Sequence, residues 1–110
     1  MENLNTMTDH PSWRIRVTAR HTEIPDELRE RAEELVERVA KTAHRPQHAE
    51  VIFDADHGRK VVEIHMALTR GRVKVAHAEA DDFRSALDTA VQKLRSQLDK
   101  NSGRPRRIPS

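Results

Sequence analysis

Seven histidines are available in this chain of 110 residues to bind a metal or to transfer protons near neutral pH. His44 and His48 are four residues apart, but Pro46 between them prevents the helical turn that would bring both rings to one ion. His65 and His77 fall on separate segments of alternating sequence, and no third ligand accompanies them. Two half-exposed strand histidines are the simpler interpretation, so we expect no metal site.

The carboxylates and glycines indicate no catalytic arrangement either. Asp54 and Asp56 would point to one side of a strand beside a turn, where polar residues are expected in any case. Nothing nearby indicates the apolar pocket that would raise the pKa of one carboxyl, as paired-carboxylate hydrolysis requires. The 3 glycines are too scattered for a phosphate-cradling loop, and the absence of cysteine excludes thiolate chemistry. We therefore predict that the protein is not an enzyme, has no cofactor and takes no small-molecule substrate.

Basic residues concentrate toward the end of the sequence, although 20 Lys and Arg against 18 Asp and Glu leave a formal charge of only +2. Asp99 is the one acid that falls among them. The group consists of Lys93, Arg95, Lys100, Arg104, Arg106 and Arg107. Two smaller groups are Arg70, Arg72 and Lys74, and Arg14, Arg16 and Arg20. These bases either complement the dipole at a helix end or form an edge that binds the phosphates of a nucleic acid.

Aromatic residues limit what kind of nucleic acid such an edge could bind. Trp13, Phe53 and Phe83 are the only aromatic residues, and both phenylalanines fall at predicted core positions. A single strand would therefore find no row of rings on which to stack its bases. The basic edge suits the shape and the phosphates of structured RNA better.

The elements that would position these residues follow from the spacing of apolar residues. Alternation from Arg14 to Ala19 predicts strand 1. The segment Glu23–Glu27 predicts the start of helix 1, because its proline and carboxylates suit a first turn. An apolar stripe follows at helical spacing, and the helix ends before Pro46. Alternation from His48 to Ala55 predicts strand 2.

The second half of the chain reads as two more strands and a helix. A turn at Asp56–Gly58 leads into strand 3, which alternates up to Leu68. A tight connection at residues 69–72 leads into strand 4, from Val73 to Ala80. Helix 2 follows with the clearest apolar stripe in the chain, and either Asp81 or Asp82 can cap it.

The sequence does not decide which face of strand 4 is buried. Val73 and Val75 favour one face, whereas Ala76, Ala78 and Ala80 favour the other. A bulge within the strand would reconcile the two patterns.

The order β-α-β-β-β-α predicts an α+β fold, a four-stranded mixed sheet with both helices packed on one face, because each helix carries a single apolar stripe. Strands 1 and 2 should be parallel, and strands 2, 3 and 4 should form an antiparallel meander. This domain spans residues 14–100, between a disordered segment at 1–13 and a flexible basic tail at 101–110. The predicted core consists of Ile15, Val17, Leu28, Leu35, Val39, Val51, Phe53, Ile64, Met66, Phe83, Leu87, Val91 and Leu94.

Two stretches of the sequence are similar to the motifs of one family. Residues 78–88, Ala-Glu-Ala-Asp-Asp-Phe-Arg-Ser-Ala-Leu-Asp, resemble A-E-x-x-D-M-Y-x-A-I-D, and Lys93-Leu94 and Gln97-Leu98 follow in place of K-L-x-R-Q-L/I. Residues 23–29, Glu-Ile-Pro-Asp-Glu-Leu-Arg, resemble E-I-T-x-A-L-R at the entry to helix 1. The family is that of the ribosome hibernation-promoting factors, also called protein Y or ribosome-associated inhibitor A.

The resemblance implies a fold akin to a double-stranded-RNA-binding domain and a function on the ribosome. Members occupy the channel of the small subunit that mRNA and tRNA use, and they inhibit translation in stationary phase or stress. Residues carried over by position, together with the basic concentration, give the expected RNA-binding set: Arg29, Arg38, Lys93, Arg95, Gln97, Lys100, Arg104, Arg106 and Arg107. Ser96 departs from the family pattern, which usually has arginine there. Because the chain ends soon after Lys100, it looks like a short form without the second domain of long members.

The expected partners are therefore the small ribosomal subunit and its ribosomal RNA, with a monomer away from the ribosome. The N-terminus is polar, and no apolar run approaches the ~18 residues that span a bilayer, so we expect a cytoplasmic protein without a membrane partner. The alternative from a different class is an adaptor whose charged helices or open sheet edge bind another protein, with no RNA role.

Overall fold

Strands and helices follow one another along the chain in the order that the apolar spacing predicts. The computed structural model describes residues 14–43 and 45–100, with only the backbone for Arg14 and Lys100. The elements are β1 (Arg14–Arg20), α1 (Asp26–Ala40), β2 (Pro46–Asp56), β3 (Arg59–Leu68), a short 3-10 turn (Thr69–Gly71), β4 (Val73–Ala80) and α2 (Phe83–Lys100). The predicted α+β class is confirmed. The segments 1–13 and 101–110, predicted to be a disordered segment and a flexible tail, lie outside the described residues.

The sheet has the strand order β1-β2-β3-β4, with β1 parallel to β2 and the other two pairings antiparallel. The predicted meander of β2, β3 and β4 is therefore confirmed. A two-residue turn joins β2 to β3, and His57 and Gly58 both have positive φ, 51° and 81°. Such a pair of left-handed residues gives the turn a twist that matches the flanking strands.

β4 buries its alanines and leaves its valines in solvent. Ala76 and Ala78 are each 3% exposed, whereas Val73 and Val75 are 53% and 41% exposed. The register between β3 and β4 runs without a shift from Lys60 opposite Ala80 to Ala67 opposite Val73, so the bulge considered from the sequence is wrong. Small side chains face α2 because that helix packs directly over β4, and its own sheet-facing side also contains buried alanines.

Both helices cover the same face of the sheet, and the core lies between these two layers. The predicted core residues of β2 and β3 are buried, and so are Val39 of α1 and Leu87, Val91 and Leu94 of α2. The other predicted members are only partly buried at the margin: Ile15, Val17, Leu28, Leu35 and Phe83. The ring of Phe83 meets Phe53 edge-to-face at 5.4 Å between centroids, and Lys60 Nζ lies 5.4 Å from its centroid.

The two helices begin differently. α1 starts at Asp26 after Pro25, whose extended backbone places its carbonyl to accept hydrogen bonds from the amides of Leu28 and Arg29. α2 starts with a side-chain cap, since the amide of Ser85 donates to Asp82 Oδ1 at 2.7 Å. Asp82 rather than Asp81 is thus the cap that the sequence left undecided.

Candidate nucleic-acid interface

Two of the expected RNA-binding residues of α2 lie along β4, which forms one edge of the sheet. Lys93 Nζ donates to the carbonyl of His77 at 2.9 Å, and Gln97 Nε2 donates to the carbonyl of Val75 at 2.6 Å. Backbone groups on an edge strand would otherwise be open to pairing with another strand. These side chains therefore attach α2 to β4 and cover part of that edge.

Arg29 of α1 has a similar position on the opposite edge. Its Nη1 donates to the carbonyl of Val17 in β1 at 3.0 Å, and the residue is half-buried between helix and sheet. A helix side chain thus bonds to a backbone carbonyl on each edge strand. The assignment of Arg29, Lys93 and Gln97 to RNA binding stays a prediction. Each of these side chains already donates a hydrogen bond to the backbone of an edge strand, so a phosphate would be a second partner.

The remaining expected residues do not converge on one helix face. Arg38 and Arg95 are exposed, the first in the last turn of α1 and the second in the middle of α2. Arg95 follows Lys93 by two positions, which turns it about 200° around the helix axis, away from β4. Only the backbone of Lys100 is described, and Arg104, Arg106 and Arg107 lie outside the described residues.

An ion pair joins the two helices. Arg31 of α1 donates from Nε and Nη2 to the carboxylate of Asp88 in α2, at 3.1 to 3.3 Å. Both side chains are partly exposed, at 33% and 46%. The fork of a guanidinium on a carboxylate fixes direction as well as distance, so this pair orients α1 relative to α2. The sequence analysis missed it, because partners on different helices have no fixed spacing along the chain.

At the end of the sheet where β2 turns into β3 and both helices begin, the bases have acidic neighbours. We call this the hairpin end, with Arg20, Asp54, Arg59, Asp81 and Arg84. Arg59 Nη1 lies 2.7 Å from Asp81 Oδ1, and Arg20 Nη2 lies 3.6 Å from Asp54 Oδ2. Arg84 lies close enough to the carboxyl of Asp82 to help lower its pKa. Positive charge at this end is therefore largely offset.

The surroundings of Asp54 do not favour paired-carboxylate hydrolysis. Its Oδ1 is 2.9 Å from His21 Nδ1, and it accepts a hydrogen bond from the amide of Ala55 at 2.8 Å. The hydrogen bond from His21 is the main cause that lowers the pKa of Asp54. A general acid needs the opposite shift, so the polar interpretation of this aspartate is the better one.

At the other end of the sheet, where β2 and β4 begin and both helices finish, the bases do not form such ion pairs. We call this the basic end, with Arg38, Lys41, Arg45, Arg70 and Arg72. Within residues 14–43 and 45–100, none of these five side chains forms an ion pair. The sequence analysis named Arg70 and Arg72 as a minor group but missed Arg45, because a lone arginine in a loop carries no pattern. The predicted antiparallel pairing of β2 with β3 was the signal that could have found it, since that pairing places the end of β3 beside the start of β2.

The face of the sheet away from the helices is polar with an apolar rim on β4. His65 Nε2 lies 3.2 Å from Glu63 Oε2, and Thr18 Oγ1 donates to Glu50 Oε2 at 3.0 Å. Among the described residues, no group of three or more histidines and acids is placed to hold a metal ion. In the same part of the chain, no helix is long and apolar enough to cross a membrane.

Comparison with known proteins identifies one family and two similar structures. Residues 15–106 match the family described as Sigma 54 modulation protein / S30EA ribosomal protein. A ribosomal subunit interface protein from Coxiella burnetii superposes with a TM-score of 0.72 and 26% identity, over 83% of this chain and 99% of that one. The N-terminal domain of Protein Y from Thermus thermophilus shares the fold, with a TM-score of 0.67 and 24% identity over 77% and 93% of the two chains. No curated protein matches the sequence.

Proposed function

This chain belongs to the family of Sigma 54 modulation proteins and S30EA ribosomal proteins, and from that premise we propose that it binds the small ribosomal subunit in the channel for mRNA and tRNA and inhibits translation there in stationary phase or stress. The family membership confirms the resemblance to ribosome hibernation-promoting factors that the sequence motifs indicate. The likeness to the Coxiella burnetii ribosomal subunit interface protein supports a ribosomal partner.

One observation of the structure supports RNA as the partner: in the described part of the chain, five bases without an ion pair lie together at the basic end, whereas Arg20 and Arg59 of the hairpin end lie beside carboxylates. A guanidinium already paired with a carboxylate has little to gain from a phosphate, whereas an unpaired one can release counterions from RNA. The formal net charge of +2 is therefore distributed unevenly, with positive charge concentrated at the basic end. That surface suits the ribosomal RNA lining a channel.

The mechanism requires no reaction. Phosphate contacts hold the domain in place, and its volume excludes mRNA and tRNA from the channel. A rigid body serves this purpose better than a flexible one, because ordering a flexible segment would reduce the affinity. The Arg31–Asp88 pair between the helices and the bonds from Arg29 and Lys93 to the edge strands all reduce movement of the helices on the sheet.

Sedimentation with purified small and large ribosomal subunits across a salt series tests the proposal. We expect the protein to sediment with the small subunit, to dissociate steeply as salt rises, and to inhibit translation in a purified system at the concentrations where it binds. Association with the large subunit alone, or binding without inhibition, would contradict it.

A protein partner is the second candidate, and one observation favours it. Val73 and Val75 are the large apolar side chains that the described residues expose most, and both lie on the open face of the sheet. An adaptor that used this rim would bind through apolar burial and would change little between low and high salt. The salt series therefore separates the two functions. Replacement of both valines by threonine would weaken binding only in the adaptor.

A further inference from the structure

A cleft at the basic end is formed by two separate connections of the chain. Arg45 comes from the segment before β2, and Arg70 and Arg72 come from the turn between β3 and β4; Leu68 and Thr69 complete the lining. Thr69 Oγ1 donates to the carbonyl of Arg45 at 3.3 Å, which ties one connection to the other. The amide of Leu68 donates to the carbonyl of Arg72 at 2.7 Å and closes the turn.

The charges around this cleft are of one sign. Arg45, Arg70 and Arg72 are exposed, and none of the described residues that line the cleft is a carboxylate. Three guanidinium groups so placed repel one another, and they raise the local concentration of any polyanion. Two hydrogen-bonded loops, rather than a single flexible one, hold the positive charge in place.

The backbone gives a second, independent observation. Arg45 and Arg70 both adopt left-handed conformations, with φ of 57° and 70°. This region is unfavourable for residues with a Cβ atom, and glycine or asparagine usually occupies it. The chain therefore holds an arginine at two strained positions of the same cleft, where asparagine would be more stable. His21 and His57 adopt the same conformation near the hairpin end, so what distinguishes the cleft is that both of its left-handed residues are arginines.

We propose that the cleft of Arg45, Thr69, Arg70 and Arg72 binds the backbone phosphates of structured RNA. The fork of a guanidinium matches two oxygens of one phosphate, and arginines on two loops can hold successive phosphates of a strand. A polymer can contact both loops of this partly open cleft at once, whereas a small free anion would contact only part of it. That the RNA is ribosomal rests on the proposed function, but phosphate binding by the cleft does not.

The experiment compares two variants that lose the same charge. The cleft variant is Arg45→Asn/Arg70→Asn/Arg72→Gln, and the control variant at the hairpin end is Arg20→Gln/Arg59→Gln/Arg84→Gln. Binding of a labelled RNA duplex of about 16 base pairs, the length that a double-stranded-RNA-binding domain spans, is measured by fluorescence anisotropy from about 50 to about 200 mM salt.

We expect the cleft variant to bind the duplex roughly tenfold more weakly or worse, and its salt slope to fall by about one unit for each phosphate that the variant no longer neutralises. The control variant should retain most of the affinity, because its bases already have acidic neighbours. The thermal midpoint of the cleft variant should stay unchanged or rise, since asparagine tolerates the left-handed conformation. Equal losses in the two variants, or a cleft variant that binds like the natural protein, would overturn the proposal.

Two further measurements complete the experiment. One distinguishes RNA from inorganic phosphate as the ligand of the cleft, and the other distinguishes failure of the cleft proposal from failure of the proposed ribosomal function. Inorganic phosphate at matched ionic strength should displace the duplex no better than chloride; saturable displacement by low phosphate would overturn the RNA site in favour of a small-anion site. Sedimentation of both variants with small ribosomal subunits is then compared with the anisotropy. If the cleft variant loses duplex binding but the natural protein does not sediment with the subunits, phosphate binding by the cleft is supported and the proposed function is refuted.

Discussion

At the scale of single residues, Asp82 is the side chain on which the start of α2 depends. It accepts hydrogen bonds from the amide and the hydroxyl of Ser85, at 2.7 and 3.2 Å. Asp82→Ala removes the cap and leaves amides of the first turn without a partner, so we expect the thermal midpoint at neutral pH to fall by several degrees. Asp81→Ala is the matched control, because its side chain is 93% exposed and its partner is the surface residue Arg59.

The same cap predicts a pH dependence. The amide of Ser85 is the main cause that lowers the pKa of Asp82 below its ordinary value of 3.8. A carboxyl with a lowered pKa in the folded state stabilises the fold above 3.8 and loses that effect as pH falls through the folded-state value. The difference in thermal midpoint between the natural protein and Asp82→Ala should therefore be constant from pH 7 to about pH 5 and should narrow below pH 3.8. A difference that widens in acid would contradict the assignment of the cap.

Arg29 and Arg38 were assigned the same role from the sequence, and the structure separates them. Arg29→Met removes the donor to the carbonyl of Val17, which should lower the free energy of unfolding by about 1–2 kcal/mol. Arg38→Met removes an exposed charge and should change it by less than about 0.5 kcal/mol. Denaturant titration of both variants measures these effects. If Arg29→Met is as stable as Arg38→Met, the bond to β1 contributes nothing and Arg29 is free for RNA.

Arg29 and Arg38 also show how much of the candidate interface could be predicted from the sequence. Their positions on helix 1 follow from periodicity, and their chemistry follows from the residue type. Which one meets a backbone carbonyl depends on the rotation of α1 against β1, and that rotation is set by contacts between distant segments. Arg45 was missed for the same reason, since its neighbours Arg70 and Arg72 are adjacent only in the folded chain.

At the scale of elements, the apolar stripe of α2 is its principal attachment to the sheet. Leu87 is fully buried in that stripe. Leu87→Ala should lower the free energy of unfolding by about 2–5 kcal/mol, because it leaves a cavity between α2 and the sheet. Gln92→Ala, an exposed position on the same helix, is the control and should have little effect. Urea unfolding measures both, and a Leu87→Ala protein as stable as the control would refute the packing.

The side chains that attach α2 to the edge of β4 also protect that edge from pairing with another copy of the chain. Lys93→Ala/Gln97→Ala removes the donors to the carbonyls of His77 and Val75 and opens that edge to pairing. We expect this variant to self-associate more strongly with rising concentration than the natural chain does, as measured by sedimentation velocity at matched protein concentrations. Gln92→Ala/Ser96→Ala changes exposed positions of the same helix and should leave the sedimentation coefficient unchanged.

Element order and strand pairing could be predicted because each depends on short-range patterns and general rules of connection. The parallel pairing of β1 with β2 follows from the helix between them, and the meander follows from short turns. The buried face of β4 could not be predicted. Valine is the more apolar residue, yet Ala76 and Ala78 are buried, because the close approach of α2 decides which side chains fit.

At the scale of the whole molecule, the uneven distribution of charge bears on the segment that follows α2 in the sequence. The last turns of α2 lie near the start of β4, as the bond from Gln97 to Val75 shows, and therefore near the basic end. Deletion of residues 103–110 removes Arg104, Arg106 and Arg107, and should lower affinity for the small subunit. The salt slope should fall by roughly one unit for each phosphate that these arginines neutralise in the natural protein. Identical binding of the truncated and natural proteins at every salt concentration, measured by cosedimentation, would show that the tail does not touch the subunit.

The parallel pairing of β1 with β2 also determines when the chain can complete its fold. Each residue of β1 pairs with one far along the chain, as Arg14 does with His48, whereas β2, β3 and β4 pair through short turns. Local pairings form before distant ones, since fewer residues are ordered to close them. The N-terminal strand is synthesised first but must wait for α1 and β2 before it can join the sheet. Its partly buried residues should then exchange their amide hydrogens faster than those of the meander, which makes β1 the first strand to open in the native protein.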